Sequence, residues 1–348
     1  MSAQTQAIWQ VGQVIEATPA ATGIQRIVLR TEQPHRAPPG SHVDVVVKIQ
    51  DRSDIRSYSV VSGSENGSVL AICVNLTPNS RGGSRFMHAL RCGDALTMTQ
   101  PLQNFPLRIG APRYVLLAGG IGITAIAEMA SVLRRLTADY QLIYVGRSSE
   151  RMAYLGELLD LHGDNIRVHV DDEGTSLNTD ALVDEIAGAG PTELYMCGPI
   201  RLMDAVRRRW RYQNLPATDL RYETFGNSGR YEAEEFVVAV PRLGVQTVVR
   251  RGQTLLEALE RAGAHVISDC RKGECGVCQV RVLNVEGLVD HRDVFFSDDE
   301  KQTSMTMCAC VSRAVSGQST TSGPLTDQKT PLLADPASQQ ARLAIDVP

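Results

Sequence analysis

Five of the eight cysteines lie in one short stretch: Cys270, Cys275, Cys278, Cys308 and Cys310. The first three form C-x4-C-x2-C, reading Cys270-Arg-Lys-Gly-Glu-Cys275-Gly-Val-Cys278. That asymmetric triplet is the plant-type spacing for a 2Fe-2S cluster, and it requires a fourth cysteine further along the chain. Zinc loops favour C-x2-C pairs instead. In a long chain with no export signal, such crowding points to metal binding rather than disulfides. Four thiolates must converge on two irons, so the loop between them has to wrap closely, and Gly273 and Gly276 permit this without a Cβ penalty. Cys308 and Cys310 are separated by one residue and would share a face in an extended strand. Periodicity therefore leaves both open as the fourth ligand. Cys73, Cys92 and Cys197 are scattered and read as small, buried, apolar-like side chains.

The chain around this cluster is long enough for further domains. Its 348 residues predict two to three domains at roughly 150 residues each. In the first hundred or so, IQRIVLR, HVDVVVKI, RSYSV and SVLAICVN are β-branched runs separated by turn residues, which predicts an antiparallel sandwich or barrel. A short helix is expected at SRFMHALR. Pro106, Gly110 and Pro112 mark a break. After it, the strand-like YVLLA, QLIYVG, IRVHV and ELYMC alternate with ITAIAEMASVLRRL, RMAYLGELLDL, TDALVDEIA and PIRLMDAVRRRW, whose apolar residues keep helical spacing. That alternation predicts a parallel sheet covered on both faces, with ligands beyond the carboxyl ends of its strands. GNSGRYEAEE reads as a linker. Beyond it come EFVVAVP, QTVVR, the helix TLLEALERAG, the cysteines, a polar insert at 316–337 and a final alternating run, ARLAIDV. The expected division is 1–109, 110–226, a linker at 227–235, and 236–348.

Four further motifs carry chemistry. Arg56-Ser57-Tyr58-Ser59 offers a cation, hydroxyls and an aromatic ring on a strand, a set suited to a flavin's phosphate and ring. An ordinary surface strand carries the same residues. Asn79-Ser80-Arg81-Gly82-Gly83-Ser84 enters a helix with exposed N–H groups that suit an anion, or forms a simple turn with a serine cap. Gly119-Gly120-Ile121-Gly122-Ile123-Thr124-Ala125 follows a strand and opens a helix, the setting of a pyrophosphate loop. No acid ends the second strand, where the standard dinucleotide fingerprint has one. Arg147 stands there instead and either meets a 2′-phosphate or is simply solvated. Asp171 and Asp172 either meet an adenosine ribose or cap a turn. Cys197-Gly198-Pro199 ends the fourth strand before a helix that proline suits as a start.

CRKGECGVC, DHRDVFFSDDE and CVSRA together resemble the ferredoxin domain of the phthalate dioxygenase reductase and vanillate O-demethylase reductase family. The R-x-Y-S and GGS elements resemble its flavin domain, and GGIGIT and CGP its nucleotide domain. The resemblance covers nearly the whole chain, in the family's order. It implies an antiparallel β-barrel flavin domain, an α/β parallel-sheet nucleotide domain and an α+β β-grasp ferredoxin domain. It also implies FMN held by Arg56, Ser57, Tyr58, Ser59, Gly82, Gly83 and Ser84, although the residues themselves leave FAD open. NADH is the implied donor, with NADPH open through Arg147. Cys197 is implied to lie beside the nicotinamide, leaving room for it to reach the flavin, and Phe225 either borders the flavin or is plain core. By the same resemblance Cys310, directly before VSRA, is the last ligand, while a slightly longer spacing keeps Cys308 as the alternative. The family circuit passes hydride from nicotinamide to flavin, then single electrons through the cluster to an oxygenase. The cofactors supply that chemistry and the protein supplies orientation.

Bulk properties agree with this reading. Lys+Arg 35 against Asp+Glu 39 gives a net charge of -4, without the basic footprint of a nucleic-acid binder. No apolar run is long enough for a membrane span, and the N-terminus lacks a signal-peptide pattern. The expectation is a cytoplasmic monomer with no nucleic-acid or membrane partner, serving a Rieske-type oxygenase. Service to a cytochrome P450, or a redox sensor without productive nucleotide binding, are the competing readings. The seven histidines are dispersed without metal spacing. His291 reads as structural and Arg207–Trp210 as one solvated helix face.

Overall fold

The computed structural model describes residues 7–49, 52–77, 82–225, 229, 231–316 and 340–347. They fall into two compact units, Met1–Glu223 and Thr224–Pro348.

The first unit opens with β1 (Trp9–Ala21), β2 (Ile24–Thr31), β3 (Ser41–Ile49), β4 (Arg52–Gly63) and β5 (Val69–Asn75). Helix α1 (Gly83–Ala89), β6 (Ala95–Thr99) and the short β7 (Leu102–Gln103) follow. The order is β4-β5-β2-β1-β6-β3-β7, and an additional β3–β4 pairing closes six antiparallel strands into a barrel. Alternation explains the closure. Along β3 every second residue from Val43 to Val47 points inward, joining Val14, Ile27, Leu29, Ile72 and Met98 in one core.

The alternating segment then builds β8 (Tyr114–Gly119), α2 (Ile123–Arg135), β9 (Tyr140–Gly146), α3 (Leu155–His162), β10 (Ile166–Val170) and α4 (Thr179–Ala189). It continues with β11 (Glu193–Cys197), α5 (Ile200–Tyr212) and β12 (Leu220–Glu223). All five strands are parallel in the order β10-β9-β8-β11-β12. The central β8 is buried along its whole length, as covered parallel strands are. Barrel residues Ile24, Val61, Cys73 and Phe105 share one apolar cluster with α2 and the sheet. The break at 106–112 is tied down by tyrosine hydroxyls: Tyr114 Oη donates to the Arg108 carbonyl and accepts from Gly110 N and Ala111 N. The Arg207–Trp210 run is not one solvated face. At 3.6 residues per turn four consecutive residues surround the helix, so Trp210 is core, and Arg209 reaches Asp184 at 2.6 Å.

The second unit contains β13 (Phe236–Val240), β14 (Val245–Val249), α6 (Leu255–Arg261), β15 (Gln279–Glu286) and β16 (Leu288–Asp290). After these come α7 (Asp298–Thr303), β17 (Thr306–Cys308), β18 (Arg313–Val315) and β19 (Arg342–Asp346). The five-stranded order is β14-β13-β19-β15-β17, with β19 parallel to β13 and antiparallel to β15. A two-stranded β16–β18 ribbon lies beside it. The final alternating run is thus a central strand, its Leu343 and Ile345 buried in the core. Thr254 and Glu257 form a capping box that starts α6. The insert beyond Ser316, as far as residue 337, lies outside the described residues, as do Asn79, Ser80 and Arg81. Among the described residues no helix is long and apolar enough to cross a membrane.

Candidate redox sites

The cysteine loop runs from Cys270 to Cys278, ahead of β15. Gly273 (φ 77°) and Gly276 (φ 71°) are both left-handed, as the wrapping argument required. A Cβ on Gly273 would lie 2.6 Å from Val311 Cγ2, and one on Gly276 would lie 2.3 Å from the Phe295 ring. Cys270 and Cys275 are half-buried, while Cys278, Cys308 and Cys310 are buried. Cys275 hydrogen-bonds with Cys270. Cys310 hydrogen-bonds with Cys278 and also feels the charge of Cys270. Cys308 is in contact with Cys278 and Cys310. Hydrogen bonds from Cys308 and Cys310 hold the Cys278 thiol well below its ordinary range, against the opposing effect of burial. Among the described residues no three potential ligands converge on a single metal ion.

The extended-strand premise for Cys308 and Cys310 fails. Strand β17 stops at Cys308, whose carbonyl accepts from Val311 N at 3.3 Å and Ser312 N at 3.0 Å. The chain therefore turns before Cys310, and the two thiols have different neighbours. Cys92 also departs from expectation: it is exposed, with Sγ donating to the Ile15 carbonyl at 3.3 Å.

The DHRD segment braces the loop. Asp293 is fully buried. Its Oδ1 accepts from Ser312 Oγ at 3.1 Å and its Oδ2 from Phe296 N at 3.0 Å. His291 Nδ1 and Lys301 Nζ lie 3.5 and 3.8 Å from its carboxylate. Val294 N donates to the Gly273 carbonyl at 3.0 Å. His291 is structural, as expected. Burial pushes the Asp293 carboxyl up, but the neighbouring His291, the Lys301 charge and the Phe296 N–H together win and hold it below the ordinary carboxylate range. A carboxyl depressed in the fold adds stability above its unfolded pKa and loses it as pH falls through the folded value. Asp293→Ala, which leaves the buried Ser312 hydroxyl and Phe296 N–H without the carboxylate they bond, is expected to cost about 1–3 kcal/mol at neutral pH. Denaturant unfolding at stepped pH checks this: the gap to wild type narrows as acid neutralises Asp293.

In the barrel, β4 pairs with β3 so that Arg56 faces Val45, Ser57 Asp44, Tyr58 Val43 and Ser59 His42. Arg56 and Tyr58 share one side of the strand, and Ser57 and Ser59 the other. Arg56 lies against the start of α1: a Cβ on Gly83 would be 3.3 Å from Arg56 Cγ and Nε. Gly82 is left-handed at φ 108°, and Ser84 Oγ accepts from Thr77 N at 3.3 Å. Arg56 Nη1 donates to the Ile55 carbonyl. Its Nη2 pairs with Asp54 Oδ2 at 2.7 Å. A cation beside glycine N–H groups fits a phosphate, for which it would exchange that carboxylate. Burial pushes the Tyr58 phenol far up, so it stays neutral. Ser57 Oγ donates to Asp44 Oδ1 at 2.5 Å.

The nucleotide elements meet where the strand order reverses, between β8 and β11, the crevice position for ligands in such sheets. A Cβ on Gly122 would lie 2.1 Å from the Cys197 carbonyl oxygen, and one on Gly119 would lie 2.6 Å from Pro199 Cδ and 3.2 Å from Gly198 Cα. The GGIGIT loop and the CGP turn thus touch backbone to backbone. Thr124 Oγ1 donates to the Ile121 carbonyl at 2.9 Å, while Gly120 is left-handed with open space around it. Cys197 is buried. Arg147 and Asp171 follow the adjacent strands β9 and β10. Both are exposed, with Asp172 N donating to the Arg147 carbonyl at 2.9 Å and Ser176 Oγ donating to Asp171 at 2.7 Å.

The oxidoreductase FAD-binding domain matches residues 12–106, and the 2Fe-2S iron-sulfur cluster binding domain matches residues 238–315. Over 308 residues the chain is 34% identical to the carnitine monooxygenase reductase subunit of Escherichia coli K12, covering 87% of this chain and 94% of the relative. The chain belongs to the phthalate dioxygenase reductase family. Within it, the 3-chlorobenzoate-3,4-dioxygenase reductase subunit of Comamonas testosteroni is 33% identical over 285 residues, 81% of this chain and 86% of the relative. The solved phthalate dioxygenase reductase, described as a modular structure for electron transfer from pyridine nucleotides to 2Fe-2S, matches with TM-score 0.68 and 28% identity over 97% of this chain and 98% of that one. An intact type IV self-sufficient cytochrome P450 monooxygenase also matches, with TM-score 0.60 and 31% identity, over 98% of this chain and 41% of that one.

One residue of this family member escaped the sequence reading. Glu223, ending β12, accepts from Ser59 Oγ at 3.3 Å, and both are buried. They are 164 positions apart, so only the fold brings the flavin strand and the fifth parallel strand together. Phe225 lies just beyond, in the second unit, 37% exposed, and is not plain core.

Proposed function

We propose that this chain is the NADH-dependent reductase component of a two-component Rieske-type oxygenase acting on an aromatic acid or similar small substrate. The observation that carries this is the contiguous set of thiols Cys275, Cys270, Cys310 and Cys278 in a family whose named members are oxygenase reductase subunits. These four are the proposed ligands. Cys310 is preferred over Cys308 on the family resemblance, because it stands directly before Val311-Ser312-Arg313-Ala314, beyond the turn that the Cys308 carbonyl forms with Val311 N and Ser312 N. When bound, flavin takes two electrons as hydride and releases them singly, and the cluster carries one at a time at a potential near about −400 mV.

The protein's share is orientation. Arg56 and the N–H groups of Gly82 and Gly83 would bind the flavin phosphate, with Ser84 beside them. Tyr58 would cover the ring, with Ser57 and Ser59 at its polar edge. The loop Gly119, Gly120, Gly122 and Thr124 would hold the pyrophosphate, and Gly198 and Pro199 would shape the nicotinamide pocket beside Cys197. Arg147 and Asp171 would meet the adenosine end, and Phe225 would border the flavin. FMN rather than FAD, and NADH rather than NADPH, rest on the family resemblance, as do the division at 109, 226 and 235, the monomeric state and a cytoplasmic location. The match to a self-sufficient P450 supports a cytochrome P450 as the second candidate acceptor.

Anaerobic titration with NADH and with NADPH, followed by absorbance and electron paramagnetic resonance, tests the reading. It expects flavin bleaching and a 2Fe-2S signal with NADH at far lower concentration than with NADPH. Colourless protein, or zinc in place of iron and sulfide, sinks it. Acid release and chromatography of the flavin identifies FMN. Arg56→Gln removes one charge-assisted contact worth about 1.5–3 kcal/mol. Flavin affinity, measured by fluorescence on release, should therefore fall roughly 10- to 100-fold.

A further inference from the structure

Lys272 and Glu274 stand between the first two cysteines of the loop, and a residue from outside the motif holds both. Thr224, 50 positions before Glu274, is buried and donates its N–H to Glu274 Oε1 at 3.0 Å. Its hydroxyl proton is shared between the same oxygen at 2.8 Å and the Lys272 carbonyl at 3.1 Å. Lys272 in turn donates its own N–H to Cys270 Sγ at 3.4 Å. The turn that aims this N–H is strained. Arg271 is left-handed at φ 52°, a backbone conformation that the Cβ of a non-glycine residue disfavours. Such a turn persists only where its surroundings fix it. Thr224 supplies one hold, and Val294 N, bonded to the Gly273 carbonyl at 3.0 Å, supplies another. All of these residues belong to the second unit.

We propose that Thr224 is a positioning residue for the 2Fe-2S cluster: by holding Lys272 and Glu274 it keeps the Lys272 N–H aimed at the Cys270 sulfur and so raises the reduction potential. This rests on the reading of Cys270 as a cluster ligand. The step affected is uptake of one electron, supplied by reduced nicotinamide through the flavin. No bond forms or breaks at Thr224, and no proton moves. Reduction adds one negative charge, so an N–H pointed at a ligand sulfur is bonded more strongly after it than before. Hydrogen bonds to the sulfurs are among the features that set such potentials. Removing the Thr224 hydroxyl takes that donor from the Lys272 carbonyl and lets Arg271 relax, which turns the N–H away from sulfur.

The test uses the full-length holoprotein with Thr224→Val, which keeps the shape without the hydroxyl, and Thr224→Ser, which keeps the hydroxyl. Iron and sulfide are counted, and midpoint potentials are read by electron paramagnetic resonance during redox titration. Both variants should hold a full cluster. Thr224→Val should favour the oxidised state up to roughly tenfold more, the scale of one hydrogen bond, a shift of up to about 59 mV to more negative potential. Thr224→Ser should stay near wild type, a rescue that a loss of packing alone does not give. An unchanged or raised potential in Thr224→Val, or equal shifts in both variants, overturns the positioning role while leaving the cluster reading intact. Wild-type protein without iron and sulfide sinks the cluster reading instead, so the two failures are told apart. If Thr224→Val does not fold, Thr224→Ala against Thr224→Ser gives the same comparison.

Discussion

Cys270→Ala is expected to oxidise NADH with ferricyanide at close to the wild-type rate while losing the ability to reduce cytochrome c or an oxygenase. Cys270 links the two ends of the thiol set, hydrogen-bonding with Cys275 and sensed by Cys310. With three thiolates left, one iron lacks a protein ligand. Substituting residues that only support a metal ligand already costs 10- to 100-fold, so loss of a ligand should cut one-electron transfer by more than about 100-fold. The residues proposed to bind flavin and nucleotide from Arg56 to Pro199 all belong to the other compact unit, and Cys270 is only half-buried, so the hydride half of the reaction should survive. Iron and sulfide analysis beside the two acceptor assays checks this. Persistent cytochrome c reduction in iron-free protein would show that electrons leave from the flavin.

Gly122→Val should produce the mirror image: intact flavin and cluster spectra, but flavin reduction by NADH that is slow and demands far more nucleotide. The added Cβ lands 2.1 Å from the Cys197 carbonyl oxygen and 2.5 Å from its carbon. Both are backbone atoms held by the β8–β11 pairing of Ala118 with Cys197, so neither can swing aside as a side chain would. The loop and the CGP turn must separate, at a cost of about 1–3 kcal/mol or more. That separation moves the surfaces proposed to hold pyrophosphate and nicotinamide. Gly120→Ala is the control: its Cβ meets nothing, and only the left-handed backbone is penalised, by about 1–2 kcal/mol. Stopped-flow bleaching of the flavin across NADH concentrations separates the two. Similar kinetics in both variants would mean that the close approach at Gly122 does not shape the site.

What the sequence revealed was local. The C-x4-C-x2-C spacing, the strand–GGIGIT–helix order and the alternation of β3 each depend on residues a few positions apart, and each reappears in the fold. The barrel strand β1 was less visible because Gly12 and Pro19 interrupt it, and it is defined by pairing with β2 and β6. Ser59 with Glu223, and Asp293 with Ser312, are contacts between segments whose own composition says nothing of the other. Cys308 and Cys310 show the limit most directly. Alternation treats them as equivalent, and the turn at the Cys308 carbonyl separates their surroundings.

The position of β19 bears on how the cluster is loaded. This strand lies between β13 and β15 yet follows all five thiols of the cluster region in the chain, after residues 317–339. Until Ile345 arrives, β13 and β15 have no shared neighbour, and the scaffold behind the cysteine loop is incomplete. A chain cut short before Arg342 should therefore lack the backing sheet of the cysteine loop, and its cluster should be held far less firmly.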